Sequence, residues 1–83
     1  MWLTFKPKVV KQLEALPQKT RERILRKIAF YTTQPDPLSF AKPLTGYDAY
    51  RFRIGHHRVI FDCDETTITI LLVVGRDGAY RNL

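Results

Sequence analysis

The chain has one cysteine, one serine and one tryptophan, and its eight acidic residues face fourteen lysines and arginines. Each shortage closes a class of function. Cys63 alone builds no internal disulfide framework and suits a reducing cytoplasm; in a strand-like run it reads as a small buried apolar residue. Ser39 lies in a proline-rich stretch with no base partner nearby, so a hydrolase triad has no foothold. His56 and His57 are adjacent and the cysteine is distant, whereas zinc needs three or four ligands in tetrahedral reach, so no metal site is expected. Gly75 and Gly78 bracket an Arg-Asp pair without a phosphate-loop pattern and read as turn residues, and nothing else implies a cofactor. No apolar run approaches the roughly 20 residues of a membrane-spanning helix. The opening "MWLTFKPKVV" lacks the basic-then-apolar order of a signal peptide. A cytoplasmic protein with no membrane partner is expected.

What is present is basic and short. With 83 residues the chain suits one domain, residues 1–83, and a net charge of +6 attracts polyanions such as nucleic acid or an acidic protein.

The apolar spacing changes once along the chain. "WLTF" (2–5) reads as an opening strand. Pro7 suits a first helical turn, and Val9, Val10, Leu13 and Leu16 recur at helical spacing until "LP" at 16–17 breaks the run. A longer helix is expected from about Pro17 to Thr33, with Ile24, Leu25, Ile28 and Tyr31 as its apolar stripe. Lys19, Arg23, Arg26 and Lys27 form a basic stripe on another face. It is either a solvated face or a surface for RNA or an acidic partner. Three prolines and a glycine make 33–46 a loop. The period then becomes two. Tyr50, Phe52 and Ile54 alternate with Arg51 and Arg53, and Val59, Phe61 and Cys63 with Arg58, Ile60 and Asp62. "TITILLVV" (67–74) is apolar on both faces, as in a strand covered on both sides. The expected fold class is α+β, ordered β-α-α-β-β-β, a helical hairpin on a mostly antiparallel four-stranded sheet.

Side chains two apart on a strand share a face, so Arg51 and Arg53 project together, away from Tyr50, Phe52 and Ile54. Arg58 joins them on the open face, and Arg76 follows the last strand nearby. Two readings stand. Exposed arginines on a sheet are commonplace and serve solubility. Alternatively, gathered guanidiniums hold an anion, and arginine binds phosphate bidentately.

Several motifs, in order, resemble the RelE/ParE superfamily of toxins. "KQLEALP" before a basic helix is similar to its helical hairpin. "KPLTGYDAYRFRIGHHRVIFD" resembles its core, and "VVGRDGAY" its closing segment. Gly75 stands where many members have histidine, and "GHH" replaces the usual turn. The resemblance implies a co-expressed acidic antitoxin, a toxin–antitoxin hetero-oligomer, and one of two activities: RelE-type cleavage of mRNA on the ribosome, or ParE-type poisoning of DNA gyrase. It implies that Arg51, Arg53 and Arg58 address the scissile phosphate, with Arg76 and Tyr80 completing the set. A metal-independent endoribonuclease is expected, with a gyrase inhibitor or a non-catalytic basic binding module as alternatives. Arginine stays protonated, so the residues able to accept a proton near neutrality are His56 and His57, which are either the base or solvated turn residues.

Overall fold

The change of period from 3.6 to two becomes, in the computed structural model, a layer of helices on one side of a sheet. The structure describes residues 1–75. In chain order the elements are β1 (Trp2–Phe5), α1 (Pro7–Glu14), α2 (Gln18–Thr32), a 3-10 turn (Pro37–Phe40), β2 (Lys42–Pro43), β3 (Tyr50–Ile54), β4 (His57–Cys63) and β5 (Thr67–Gly75). The sheet order is β1-β5-β4-β3-β2, with β1 parallel to β5 and the other neighbours antiparallel.

The β-α-α-β-β-β frame is as expected, but the sheet has five strands rather than four. The addition, Lys42–Pro43, pairs with Arg51 and Tyr50 inside the segment read as loop. It is an edge strand of two residues, and proline is tolerated there because an edge leaves one row of N–H groups unused. That brevity leaves no alternation to read.

Pro7 begins α1, where its missing N–H costs nothing. Proline at 17 stands just outside α2 with an extended backbone (φ −55°, ψ 146°), which ends one helix and starts the next. The buried stripe is Val9 and Leu13 from α1, with Ile24, Ile28 and Thr32 from α2. Thr32 Oγ1 donates to the Ile28 carbonyl at 2.9 Å, which satisfies its hydroxyl inside the core. Two residues expected in the stripes, Val10 and Leu25, remain exposed because the short helices turn only part of each apolar arc to the sheet.

Under the helices lie Phe52, Ile54, Val59, Phe61, Ile68, Ile70 and Val73. The rings of Phe52 and Phe61 stack at 4.3 Å between centroids, and Tyr31 of α2 meets Phe52 at 4.8 Å. Such ring pairs add to simple burial.

On the far side Ile60, Leu72 and Leu44 form a second, smaller cluster. Ile60 had been expected on an open face beside Arg58 and Asp62, yet it is fully buried, because Leu44 from the segment after β2 covers it. The register explains how β5 serves both clusters. Phe61 pairs with Ile70 and Ile60 with Leu72, so Leu71 is an extra residue and the strand bulges. The bulge reverses the alternation, sending Ile70 and Val73 to the helices and Leu72 to the far side. Beyond Phe5 and its partner Ile70, β1 ends. There the Val73 N–H donates to Gln12 Oε1 at 2.8 Å, so α1 takes over from the missing strand.

Phe52→Ala is expected to cost about 3–5 kcal/mol, against a total of roughly 4–12 kcal/mol for a chain this long. Val10→Ser, at an exposed position, is expected to cost about 0.5 kcal/mol or less. Urea denaturation of both variants checks the contrast.

Candidate functional site

The β3–β4 hairpin decides which charges meet. Phe52 pairs with Val59 beneath the helices, so their neighbours Arg53 and Arg58 pair directly with each other on the opposite face. Arg51 sits two residues along, opposite Ile60 on one side and Lys42 on the other. Directly opposed side chains in an antiparallel pair have Cβ atoms about 4.5–5.5 Å apart, and like charges there are destabilising. Arg51, Arg53, Arg58 and Lys42 therefore concentrate positive charge on one patch. Arg53 is exposed, while Arg51 and Arg58 are half-buried. Lys42 was not singled out in the sequence, because β2 was not recognised. Arg76 and Tyr80 lie outside the described residues.

Two recesses open on this face. One, of about 330 Å³, is lined by Leu44, Thr45, Tyr47 and Arg51. The other, of about 130 Å³, is lined by Phe40, Lys42, Arg51 and Arg53. Arg51 is common to both.

The turn between β3 and β4 carries Gly55 at φ +61°, a left-handed conformation that glycine adopts without a Cβ clash. The space beside it is taken: a Cβ there would stand 2.5 Å from Nη2 of Arg23. Arg23 thus reaches from α2 across the turn. The other members of its stripe, Lys19, Arg26 and Lys27, are exposed on the helix. The helix stripe and the sheet arginines occupy opposite sides of the sheet.

The histidines divide in the same way. His56 is exposed in the turn. His57 is the first residue of β4 and pairs with Ile54, so the register turns it toward the helix side, away from Arg53 and Arg58. Both nonetheless border a shallow recess at the turn with Arg53, Gly55 and Arg58. Burial, then His56 and Arg23, push the His57 pKa below the usual histidine value. Its neutral form is favoured.

The remaining chemistry is structural. Burial, with Asp64 and Asp62 nearby, raises the Cys63 pKa, which favours the protonated thiol. Asp64 Oδ1 accepts from the N–H groups of Thr66 and Thr67 at 2.8 and 2.7 Å, which shapes the β4–β5 turn and lowers its pKa. Among the described residues, no cluster of His, Cys, Asp and Glu could hold a metal ion, and no helix is long and apolar enough to cross a membrane.

A depressed His57 pKa means that the unfolded chain takes up a proton before the folded one as the pH falls below 6.5. Stability present above that value is lost as the pH falls through the folded pKa. Denaturation midpoints from about pH 8 to about pH 5 are expected to decline for the wild type and to decline less for His57→Gln.

Known structures resemble this fold. The RelBE2 toxin–antitoxin complex of Mycobacterium tuberculosis contains a chain 26% identical, with a TM-score of 0.78 and 90% coverage of each chain. The archaeal RelE–RelB complex of Pyrococcus horikoshii OT3 contains one 30% identical, with a TM-score of 0.72, covering 94% of this chain and 97% of the other. The RelB–RelE complex of Methanococcus jannaschii matches at 25% identity and a TM-score of 0.76, covering 96% and 98%. No curated protein sequence matches. The family model for the ParE toxin of the type II toxin–antitoxin system matches residues 3–80. With that match spanning nearly the whole chain, and these complexes sharing its fold, the protein belongs to the RelE/ParE superfamily of type II toxins.

Proposed function

We propose that this toxin is a RelE-like endoribonuclease that cuts mRNA on the ribosome. The observation that carries the reading is the Arg53–Arg58 cross-strand pair with Arg51 beside it. Three guanidiniums gathered on one patch of sheet favour an anion on that face, and an RNA phosphate is such an anion.

Cleavage begins with attack of a ribose 2′-OH on the adjacent phosphorus. Charge builds on the phosphoryl oxygens as the O–P bond forms and the bond to the 5′-oxygen breaks. Arginines already aimed there stabilise that charge more than the ground state. Arg51 and Arg53 hold the phosphate but, always protonated, do not accept the 2′-OH proton. His56 is the better-placed base: it is exposed in the turn, whereas His57 is directed toward α2. By resemblance, Arg76 adds phosphate contact and Tyr80 either protonates the leaving 5′-oxygen or stacks on a base. No step calls for a metal or cofactor.

The ParE family match favours a second reading, inhibition of DNA gyrase, on the same fold. Under either reading the cytoplasmic partner is an acidic antitoxin. The basic stripe on α2 gives it charge. The exposed Val10 and Leu25 border an apolar groove of about 250 Å³, which gives it anchorage. Binding that combines the two weakens only partly with salt.

Primer extension on cellular messages after brief expression separates the readings. Cuts within translated codons support RNA cleavage; intact RNA with gyrase-linked DNA breaks supports the second reading. Arg53→Ala is expected to abolish toxicity with an unchanged melting temperature, since Arg53 is exposed. A loss of about 10²–10³ in cleavage rate is the scale for one such donor. Arg58→Ala is expected to be as inactive but slightly less stable, because Arg58 is half-buried. His56→Gln is expected to slow single-turnover cleavage while leaving RNA binding unchanged.

A further inference from the structure

Beside the arginines, the larger recess has a construction that phosphate binding alone does not require. It is walled by Tyr47, which is 54% exposed at the last position of a turn where a small polar residue would suffice. That turn is held firmly. The Tyr47 N–H donates to the Leu44 carbonyl at 3.3 Å, and the Leu44 N–H to the Ala49 carbonyl at 3.0 Å. Gly46, at φ +83°, occupies the third turn position, where a type II turn needs a positive φ. Leu44 is itself sunk against Ile60 and Leu72. An exposed ring thus stands on a buried anchor, next to a guanidinium.

The volume of about 330 Å³ lies at the lower end of the roughly 300–1,000 Å³ of small-molecule pockets, which suits one planar ring system better than a folded peptide segment. Arg51 forms part of this recess and of the adjoining one with Lys42 and Arg53. An aromatic platform one step from a row of cations is the arrangement that binds single-stranded nucleic acid, with bases stacked on rings and backbone along charge.

The geometry points to a nucleobase site: the pocket of Leu44, Thr45, Tyr47 and Arg51 takes one unstacked base of a single-stranded RNA, stacked on Tyr47, next to the phosphate held by Arg51 and Arg53. Tyr47 is a positioning residue that sets which phosphate meets the arginines. The assignment rests on the RNA reading of the arginine face and adds a site to it.

The test uses the full chain and a fluorescein-labelled octa-adenylate carrying 2′-O-methyl groups, which blocks 2′-OH attack and leaves binding to be read by anisotropy at low salt. The same strand without bases is the comparison. Tyr47→Ala is expected to weaken binding of the base-bearing strand about tenfold and to leave the abasic strand unchanged. Tyr47→Phe, which keeps the ring, is expected to bind like the wild type. Arg53→Ala is expected to weaken both strands and reduce the salt dependence. Wild-type affinity in Tyr47→Ala, equal loss on both strands, or no binding of either strand by the wild type would overturn the site. So would a loss confined to binding of an acidic antitoxin, which would assign the pocket to a protein partner. Cleavage is judged separately: if Arg53→Ala stays toxic while the Tyr47 contrast holds, the catalytic reading falls and the base site stands. If Arg53→Ala is inactive and messages are cut while the contrast fails, the reverse follows.

Discussion

The alignment of Phe52 with Val59 in the β3–β4 hairpin governs most of what the molecule presents. Strand side chains alternate, so this one register sends Phe52, Ile54, Val59 and Phe61 under the helices and leaves Arg51, Arg53 and Arg58 on the other face. A slip of β3 by a single residue would exchange its two faces, exposing Phe52 and Ile54 and burying the guanidiniums of Arg51 and Arg53, at a cost far above the stability of a small domain. The Phe52–Phe61 stack therefore secures the charge cluster as much as it secures the core. Packing on one side of the sheet and electrostatics on the other are two consequences of one pairing.

The sheet also partitions the positive charge. Lys19, Arg23, Arg26 and Lys27 belong to the helical layer, and Arg51, Arg53 and Arg58 to the opposite surface, with Arg23 reaching the Gly55 turn between them. A partner drawn to the helical layer by charge and by the exposed Val10 and Leu25 does not have to compete for the sheet arginines. An extended acidic chain that passes round the edge can engage both. The two histidines straddle that boundary, which is why neighbours as close as 56 and 57 have different surroundings.

The helical hairpin, the class of the sheet and the convergence of Arg51, Arg53 and Arg58 were legible in the sequence because each follows from a periodicity. What was missed has no period. β2 is two residues long. The Leu71 bulge is a single insertion, invisible in a run where every residue is apolar or β-branched. Leu44 looked like one apolar residue in a loop, yet it buries Ile60 and so decides how open the arginine face is. Gln12 gave no sign that it would satisfy the Val73 N–H, a task created only where β1 ends. Lys42 and Tyr47 were hidden for the same reason, since only tertiary placement of the segment between α2 and β3 brings them beside Arg51. The expectation for Val10 and Leu25 failed because helical spacing marks an arc, while packing on a flat sheet uses only part of it. Arg76 and Tyr80 lie outside the described residues.

The parallel pairing of β1 with β5 has a consequence for biogenesis. Trp2 lies beside Thr67 and Phe5 beside Ile70, so the first strand finds its neighbour some 65 residues later. Closing a loop of that length costs roughly 4 kcal/mol of chain entropy, which local contacts cannot offset early. During synthesis β1 and α1 emerge long before β5 exists, and α1 keeps an unanswered appointment with Val73 until the end. The sheet cannot close until nearly all of its strands have cleared the exit tunnel. A nascent chain therefore carries its first strand unpaired until β5 has emerged, long after the β3–β4 hairpin is available to set the charge cluster.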